Sequence, residues 1–371
     1  MTGFGPAARV AVHHFREHRH EQMVTKQPGS TVLRPFFDRY IPALEAEMQA
    51  VVAAPSPSLQ DLYGYLRYHL GWTDAQFQPL EKPSHTGKRI RPTLCLLACQ
   101  ACEGDWERAL PAAAAVELLH NFSLIHDDIE DQDRTRRGRP TVWSIWGVPQ
   151  AVNAGDALYT LAHLALLRLA DRGVAPATVV TAMRLFDRTC LQLTEGQFLD
   201  IGFEDRDGVS PAEYLHMVAG KTAALLACSC ELGALAAQAP VARQERLRDF
   251  GRYLGLAFQM QDDVLGIWGD PQVMGKPVGS DLARGKKTLP IVHGLERTAS
   301  LRSLLAQPAL SADDVARAVD LLEEAGSRQV TKERAREYTS RALEALEAAA
   351  LAGPAADALH TLAQTLLGRA R

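Results

Sequence analysis

The stretch that decides the fold is VELLHNFSLIHDDIED, residues 116–131. Its first ten residues are mostly apolar, and four acids follow within residues 127–131. In a helix, Asp127 and Asp131 are i, i+4 neighbours and Asp128 and Asp131 are i, i+3 neighbours, so the three carboxylates project from one face. The pattern predicts a buried helix whose polar end carries clustered negative charge.

This acidic cluster has two interpretations. A solvated acidic face would tolerate like charges, which weaken a helix by only a few tenths of a kcal/mol each. The apolar run before the acids favours the second interpretation, because an unpaired charge at the end of a buried helix is costly and a multivalent cation removes that cost. Carboxylates without His or Cys favour Mg²⁺, which keeps several waters and shares phosphate oxygens with a substrate.

A second acidic pair ends another apolar helix, FQMQDDVLG at residues 258–266, with its acids at Asp262 and Asp263. Basic residues follow both acidic sites, and further cations lie in GKRIRP (residues 87–92) and at Lys221. The basic residues that follow are Arg134, Arg136 and Arg137 after the first site, and Lys276, Arg284, Lys286 and Lys287 after the second. Acids that hold a metal, rimmed by cations that bind phosphate oxygens, fit a polyphosphate–Mg²⁺ substrate. The sequence has no Walker-type loop.

Sequence patterns typical of helix N-termini occur elsewhere in the chain. One of them shows how specific an Asp-Asp pair is for metal binding. Ser210-Pro-Ala-Glu213 and Ser311-Ala-Asp-Asp314 both read as N-terminal capping segments. Because Asp313-Asp314 is best explained by capping and the helix dipole, a bare Asp-Asp pair is weak evidence for metal binding. Apolar residues recur at helical spacing from about residue 31 onward and no convincing alternating strand occurs, so we predict an all-α protein.

Composition narrows the class of protein. The chain has 371 residues, with 40 Lys+Arg against 44 Asp+Glu and 47% hydrophobic residues. These values exclude disorder as the main state and argue against sequence-independent nucleic-acid binding, which needs a basic surface. Cys95, Cys99 and Cys102 form one helical stripe, which we interpret as buried apolar side chains rather than a metal site.

Residues 1–30 differ in composition from the rest, so we predict a mobile N-terminal extension followed by one domain over residues 31–371. His14 and His18 could bind a metal, but the tail interpretation is favoured. The N-terminus lacks the apolar run of a signal peptide, and no uninterrupted apolar stretch approaches the ~20 residues of a membrane span. We expect a reduced, cytoplasmic protein without a transmembrane segment.

Taken together, these motifs resemble the trans-isoprenyl diphosphate synthases, or polyprenyl synthetases, over roughly residues 80–290. The matching elements, in chain order, are GKRIRP (87–92), His120, DDIED (127–131), RRG (136–138), Gln197 with Asp200, Lys221-Thr222, FQMQDD (258–263) and the loop with Lys276, Asp281, Lys286 and Lys287. The resemblance implies a single large helical bundle around a deep central cavity, and a homodimer.

The resemblance also implies a division of labour among these residues. Three Mg²⁺ ions, or Mn²⁺ as a substitute, would grip the diphosphate of an allylic substrate. Their implied ligands are Asp127, Asp128, Asp131, Asp262 and Asp263. Allylic phosphate oxygens would contact Arg136, Lys221, Lys276 and Lys286; isopentenyl diphosphate would contact Lys88, Arg91, His120 and Arg137; the reacting centre would be lined by Thr222, Gln259 and Asp200.

One position departs from the family pattern. The second motif is often DDxxD, and its last residue here is Gly266. Some branches of the family carry glycine there, so activity is still expected. The substitution makes the contribution of Asp263 less certain.

Product length is predicted from the residues before the first motif. Phe122 precedes Asp127 by five residues and so lies roughly 7.5 Å below the metals at 1.5 Å rise per residue. The resemblance implies that a single aromatic at this depth, beside the small Ser123 and near Leu119, gives geranylgeranyl (C20) products. The alternative is that Phe122 faces a neighbouring helix.

Three other functions stay open from the sequence. A class I terpene cyclase shares the fold and the first motif but needs no second diphosphate site, which the Lys88 and Arg91 cluster argues against. A regulatory subunit of a heteromeric synthase would have lost its acidic motif, which is intact here. A metal-dependent phosphohydrolase is weaker, since its usual His/Asp sets are not apparent.

Overall fold

The structure, a computed structural model, describes residues 30–81, 87–206, 208–269, 279–307 and 310–368. Most of these residues are helical, which confirms the all-α prediction. Residues 1–29 of the extension predicted over residues 1–30, which include His14 and His18, lie outside the described residues, and so does Lys276. Ser30 is the first residue of a helix.

The helices are numbered here in chain order. The first eight are α1 Ser30–Val51, α2 Gln60–His69, α3 Ile90–Ala101, α4 Leu110–Glu130, α5 Val142–Trp146, α6 Val148–Leu167, α7 Pro176–Glu204 and α8 Pro211–Val218. A π-helical segment, Ala219–Ala223, joins α8 to α9. The others are α9 Ala224–Ala236, α10 Val241–Trp268, α11 Ser280–Ala283, α12 Leu289–Arg297, α13 Ala299–Leu305, α14 Ala312–Glu324, α15 Ser327–Ala348 and α16 Pro354–Leu367. Short 3₁₀ turns lie at Pro57–Leu59, Trp106–Ala109 and Ala170–Arg172.

The chain divides into two compact units. The first combines the described residues up to Leu97 with Asp105–Val179, and the second combines Ala98–Gly104 with the described residues from Val180 onward. The sequence analysis expected one domain over residues 31–371, and that boundary stays a prediction.

In the first unit, α4 is the central helix. Every residue from Leu110 to Leu119 is buried and all of them except Glu117 are apolar, so this half of the helix packs into the core against α6 and α1. Pro111 lies in the first turn, where its missing N–H costs nothing. The first acidic motif lies at the other end of α4.

In the second unit, α10 has the corresponding place and packs against α9 and α15. Its apolar positions include Leu256 and Met260, which belong to a core cluster with Phe203 and Tyr214. The helix continues to Trp268, beyond the acidic pair.

A two-stranded ribbon, β1 Thr135–Arg136 and β2 Arg139–Pro140, was not predicted from the sequence. Its two-residue turn is Arg137-Gly138, with φ of 50° and 77°. Two successive positive φ angles define the type I′ turn, whose twist matches that of paired strands. Strands of two residues are too short to show an alternating pattern, which explains why the sequence analysis missed them.

Both predicted capping segments are confirmed. Ser210 and Glu213 form a reciprocal capping box at the start of α8, and Ser311 and Asp314 do the same at α14. The acidic pair of α14 is therefore explained by helix capping. The cysteine stripe Cys95, Cys99 and Cys102 is buried, as predicted.

One helical stretch, Pro211–Ala236, is long and apolar enough to cross a membrane, with a mean hydropathy of 1.3. The sequence analysis had found no such span. Within the structure 72% of its most apolar window is buried, so the stretch serves as a core helix of the second unit.

Candidate active site

The first acidic motif lies at the carboxyl end of α4, and Asp131 is the residue that ends the helix. This is the negative end of the helix dipole, where further negative charge is unfavourable. The Asp127 side chain is 24% exposed, whereas that of Asp128 is only 2% exposed. The fold therefore concentrates carboxylates at a place where a cation would be stabilising.

Asp128 pairs with the hairpin that follows α4. Arg136 Nε donates to Asp128 Oδ1 at 2.6 Å, and Arg136 Nη2 lies 4.0 Å from Asp127 Oδ2. Burial raises the pKa of the Asp128 carboxyl to about 6, against the opposing effect of Arg136. The second oxygen, Asp128 Oδ2, is buried and accepts no hydrogen bond from the described residues. Because the I′ turn sets the position of Arg136, the ribbon is part of the site.

The residues predicted to bind isopentenyl diphosphate come together in the first unit. Arg91 Nη1 lies 3.3 Å from His120 Nε2, and Arg137 packs over Gly87, where an added Cβ would be 2.8 Å from Arg137 Nη2. Lys88, next to Gly87, is exposed. A side chain at Gly87 would displace the Arg137 guanidinium.

This cluster concentrates positive charge. Burial lowers the pKa of Arg137 to about 10, with Arg89, Arg136 and Arg91 adding repulsion while Glu117 opposes it. Burial and neighbouring arginines also hold the pKa of His120 well below its usual value, so its ring is neutral. Arg91 can only donate, so His120 Nε2 accepts and the proton is assigned to Nδ1. Arg91 Nε is buried and has no hydrogen-bond partner among the described residues.

The residues predicted to set product length lie one to two turns before the acids. Leu119 is fully buried, while Phe122 and Ser123 are half-buried. The Phe122 ring packs edge-on against His126, with ring centroids 4.8 Å apart, and against Tyr159 of α6 at 5.1 Å. Phe122 therefore contacts the neighbouring helix α6, which is the alternative that the sequence analysis had left open, although Tyr159 itself was not singled out.

In the second unit, Lys221 and Thr222 lie in the π-helical segment. π-helical turns are rare and occur frequently at functional sites. Lys221 Nζ donates to Asp200 Oδ2 of α7 at 2.5 Å. The helices can approach so closely because residue 196 is glycine: a Cβ there would overlap the backbone of Lys221. The predicted Lys221 and Asp200 are therefore brought together.

A chain of hydrogen bonds continues from Thr222. Its hydroxyl donates to Gln259 Oε1 at 2.8 Å, and Gln259 Nε2 donates to Asp263 Oδ1 at 3.0 Å. Asp263 Oδ2 accepts from the Tyr214 hydroxyl at 2.5 Å and from the backbone N–H of Leu289 at 3.0 Å. The chain fixes the amide of Gln259 with its oxygen toward Thr222.

The two acids of the second motif have opposite environments. Asp262 is exposed, whereas Asp263 is 2% exposed and its pKa is raised to about 7 by burial. Both oxygens of Asp263 already accept hydrogen bonds from protein groups. This arrangement favours Asp262 as the residue that meets a ligand, and Asp263 as the one that orients Gln259 and Tyr214.

The glycine that replaces the last acid of the second motif lies against another carboxylate. A Cβ added at Gly266 would overlap Asp281 Oδ2. A side chain at 266 therefore requires Asp281 to move. The backbone N–H of Lys286 donates to Asp281 O at 3.1 Å, which ties this predicted phosphate-binding lysine to the same segment.

The donor set fits a divalent cation. Within the part of the chain that the structure describes, no group of three or more His, Cys, Asp or Glu side chains is arranged to hold a metal alone. Mg²⁺ does not require such a cage, because it usually takes one or two carboxylates and completes its shell with water and substrate phosphates. The half-buried Asp127 and the unsatisfied Asp128 Oδ2 are hard oxygen donors of that kind.

Comparison with known proteins agrees with this geometry. Residues 76–322 match the polyprenyl synthetase family. Geranylgeranyl diphosphate synthase of Mycobacterium tuberculosis is 49% identical over 284 residues, covering 75% of this chain and 79% of that protein. (2E,6E)-Farnesyl diphosphate synthase of the same organism is 41% identical over 310 residues, covering 81% and 84%.

Solved structures show the same fold. Polyprenyl synthetase from Streptomyces coelicolor has a TM-score of 0.81 at 37% identity and covers 90% of this chain and 99% of its own. A polyprenyl synthase from Caulobacter crescentus, complexed with calcium and isoprenyl diphosphate, has a TM-score of 0.77 at 28% identity and covers 92% and 98%.

Carboxylates at a helix end and a nearby cluster of arginines agree with a family of enzymes that use a divalent metal with diphosphate substrates. The chain belongs to the polyprenyl synthetase family, and it is a prenyltransferase that elongates trans-prenyl chains. The predicted fold class and enzyme class are confirmed.

Several site residues were not found from the sequence. Tyr214 lies one heptad before Lys221, and this i, i+7 spacing on one helix face is the signal that could have drawn attention to it. Arg89, inside GKRIRP, was quoted but given no role. Its partners Glu45 and Glu117 are 44 residues before it and 28 residues after it, so no local pattern connects them.

Proposed function

We propose that this enzyme condenses isopentenyl diphosphate with an allylic diphosphate, in a Mg²⁺-dependent reaction, to give geranylgeranyl diphosphate. The observation that carries this proposal is the presence of both an acid-tipped α4 and a separate buried cluster, Arg91, His120 and Arg137, in which Arg91 Nε has no hydrogen-bond partner among the described residues. Two sites for anions are what a two-substrate diphosphate reaction requires.

The order of the reaction steps follows from where charge develops on the two substrates. The allylic C–O bond breaks, its electron pair leaves with the diphosphate, and an allylic cation is left behind. The double bond of isopentenyl diphosphate then attacks that cation to form the new C–C bond. A proton is lost from the adduct to an oxygen of the released diphosphate. No protein nucleophile is required.

The residues of both units have distinct roles in this proposal. Asp127, Asp128 and Asp131 of the first unit and Asp262 of the second would be the ligands of divalent cations, which when bound supply positive charge to the leaving diphosphate. Arg136, Lys221, Lys276 and Lys286 bind allylic phosphate oxygens, and Lys88, Arg91, His120 and Arg137 bind isopentenyl diphosphate. Preorganised positive charge where negative charge develops is the main source of rate enhancement.

The Thr222–Gln259 hydrogen bond supports a role at the reacting carbons. Thr222 donates to Gln259 Oε1, which leaves that oxygen's second lone pair available to a developing cation. Asp263 fixes the amide through Gln259 Nε2. In this proposal Asp263 positions Gln259 and is not a direct metal ligand, which revises the role that the resemblance implied.

The overall assay supplies Mg²⁺, isopentenyl diphosphate and, in separate reactions, dimethylallyl, geranyl or farnesyl diphosphate. We expect each productive starter to end at C20, as determined by chromatography of the dephosphorylated products. Hydrocarbon released from an allylic diphosphate alone would instead identify a cyclase. Inactivity of the purified chain with every starter would favour a regulatory subunit.

Product length rests on Phe122. Its ring, held between His126 and Tyr159, would stop a growing chain that runs along α4. The 41% identical relative is a farnesyl diphosphate synthase, so C15 is the competing product.

Phe122→Ala is expected to give products longer than C20, because it opens the space between α4 and Tyr159. Ser123→Phe is the reciprocal variant and is expected to shift the product toward C15, because it adds a second aromatic at the same depth. Chromatography of the dephosphorylated products measures both. Unchanged chain length in Phe122→Ala would place the end of the product elsewhere.

The proposal includes a homodimer in the cytoplasm. Its support is the uncovered apolar surface of two helices. Large apolar side chains that are at least one-third exposed are Val148, Val152, Tyr159, Leu164 and Leu167 on α6, and Val180, Leu191, Phe198 and Ile201 on α7. Exposed apolar side chains that recur along one helix in this way are typical of protein–protein contacts.

Leu191→Glu, which changes a side chain that is 60% exposed on α7, is expected to convert the dimer to a monomer. A charge buried in an apolar interface is strongly unfavourable. Light scattering after size-exclusion chromatography measures the mass. Val241→Glu is the matched control, because Val241 is 68% exposed at the start of α10. A wild-type monomer, or equal dissociation of both variants, would contradict the proposed interface.

A further inference from the structure

A buried arginine lies between two of the cations that the proposed function assigns to isopentenyl diphosphate. Arg89 follows Lys88 and precedes Arg91 by two residues, yet its side chain is only 2% exposed. It therefore does not share the environment of Lys88, which is exposed. A fully buried guanidinium needs partners for its charge and its five N–H donors.

Two carboxylates from two helices provide those partners. Arg89 Nε and Nη2 lie 2.9 Å and 2.7 Å from Glu45 Oε1 of α1, and Nη1 lies 2.6 Å from Glu117 Oε1 of α4. The carboxylates are fixed in turn: Trp72 Nε1 donates to Glu45 Oε2 at 2.6 Å, and Asn121 Nδ2 donates to Glu117 Oε1 at 3.0 Å. Arg89 and the residues that hold it, Glu45, Glu117, Trp72 and Asn121, form the Arg89 frame.

The backbone of Arg89 is fixed as well. Its φ is +48°, in the left-handed region that non-glycine residues rarely adopt because it is strained. Its carbonyl oxygen accepts from Thr93 Oγ1 at 2.7 Å and from Thr93 N at 3.1 Å, at the start of α3. A left-handed residue at this point sets the direction of the chain between Lys88 and Arg91.

The frame also interacts electrostatically with Arg91 and Arg137, two of the cationic residues assigned to isopentenyl diphosphate. It contains two carboxylates for one guanidinium, so it has one surplus negative charge. Glu117 is the group that raises the pKa of both Arg91 and Arg137 against the lowering effect of burial. The same frame that fixes the backbone therefore also offsets part of the cost of burying these two guanidinium charges.

We propose that Arg89, held by Glu45 and Glu117, is a positioning residue for isopentenyl diphosphate. It fixes the segment that carries Lys88 and Arg91, and it does not contact the substrate. This inference rests on the proposed function, because it requires Lys88 and Arg91 to bind that diphosphate.

Helix α1 offers a matched control. Glu47, two residues after Glu45, is also buried and also pairs with arginines: Arg168 Nε at 2.8 Å and Arg172 Nη2 at 2.7 Å. Those arginines lie at and just beyond the end of α6 and not in GKRIRP. Glu47→Gln therefore breaks a similar buried pair on the same helix without touching the Arg89 frame.

Isothermal titration calorimetry measures the binding of isopentenyl diphosphate to the enzyme. The compound is added alone, because it does not react without an allylic partner. We expect Glu45→Gln to raise its Kd roughly tenfold or more, since small displacements of positioned groups cost this much. In steady-state assays the KM for isopentenyl diphosphate should rise in parallel. The KM for the allylic substrate and kcat should stay within about twofold. Glu47→Gln should lower the melting temperature to a similar extent and leave the Kd unchanged.

Two further variants keep the inference falsifiable. If Glu45→Gln does not fold, Arg89→Lys keeps the buried charge, loses the forked contact to both carboxylates and should raise the same Kd. An unchanged Kd in a folded frame variant overturns the inference, and so does an equal rise in Glu47→Gln. The proposed function fails separately if Lys88→Ala and Arg91→Gln leave the Kd of isopentenyl diphosphate unchanged.

Discussion

Replacing Asp127 by asparagine is expected to lower kcat by about a thousandfold or more, the largest effect of any substitution considered for this enzyme. The Asp127 side chain is 24% exposed at the carboxyl end of α4 and lies 4.0 Å from Arg136. The substitution keeps the shape of the side chain and removes its charge. Without that charge, α4 cannot hold the divalent cation against the leaving diphosphate.

The measurement is the incorporation of isopentenyl diphosphate at saturating substrate, together with Mn²⁺ binding followed by electron paramagnetic resonance in the presence of inorganic pyrophosphate. Loss of Mn²⁺ binding should accompany loss of activity. Glu130→Gln is the matched control, because Glu130 is an exposed acid of the same motif to which no ligand role is assigned. Full activity of Asp127→Asn, or wild-type activity in excess chelator, would refute the metal assignment.

Lys221→Ala is expected to lower kcat by about a hundredfold or more, because it removes a charged donor to the diphosphate at the point where negative charge develops. In the structure Lys221 Nζ is paired with Asp200 at 2.5 Å. This pair holds the lysine in one orientation before the substrate arrives. The π-helical segment directs Lys221 and Thr222 from one turn, so both groups depend on the same irregular backbone.

Steady-state kinetics with each substrate varied in turn tests this expectation. Lys221→Ala should lower kcat and raise the KM of the allylic substrate. The KM of isopentenyl diphosphate should stay nearly unchanged. Lys332→Ala, which changes a half-buried lysine of α15, is the control and should leave both constants within about twofold. A Lys221→Ala enzyme that is impaired only toward isopentenyl diphosphate would assign this lysine to the other substrate.

Much of the fold could be predicted because the signals are local. The apolar run before Asp127 marks a buried helix that ends in charge, and Ser210 and Ser311 mark helix starts through contacts three residues apart. Such patterns depend on neighbours within one or two helical turns, which the sequence presents directly. The order of the motifs then identified the family.

The environment of each motif residue could not be predicted in the same way. Asp262 and Asp263 are adjacent in sequence, yet one is exposed and the other accepts hydrogen bonds from Tyr214, Gln259 and Leu289. Adjacent residues on a helix point about 100° apart, so their surroundings depend on which elements pack against each side. The same applies to Gly266, whose missing side chain leaves the space that Asp281 fills.

The sequence by itself determined the helical class, the acidic helix ends and the chemical types gathered for a diphosphate reaction, because these follow from periodicity and from charges close together in the chain. Only the tertiary structure decided that Arg89 is buried against Glu45 and Glu117, that Arg137 turns over Gly87, and that Lys221 meets Asp200. Each of these contacts joins residues far apart in the chain or requires a left-handed backbone. Such contacts form only when packed helices exclude water and bring the partners together.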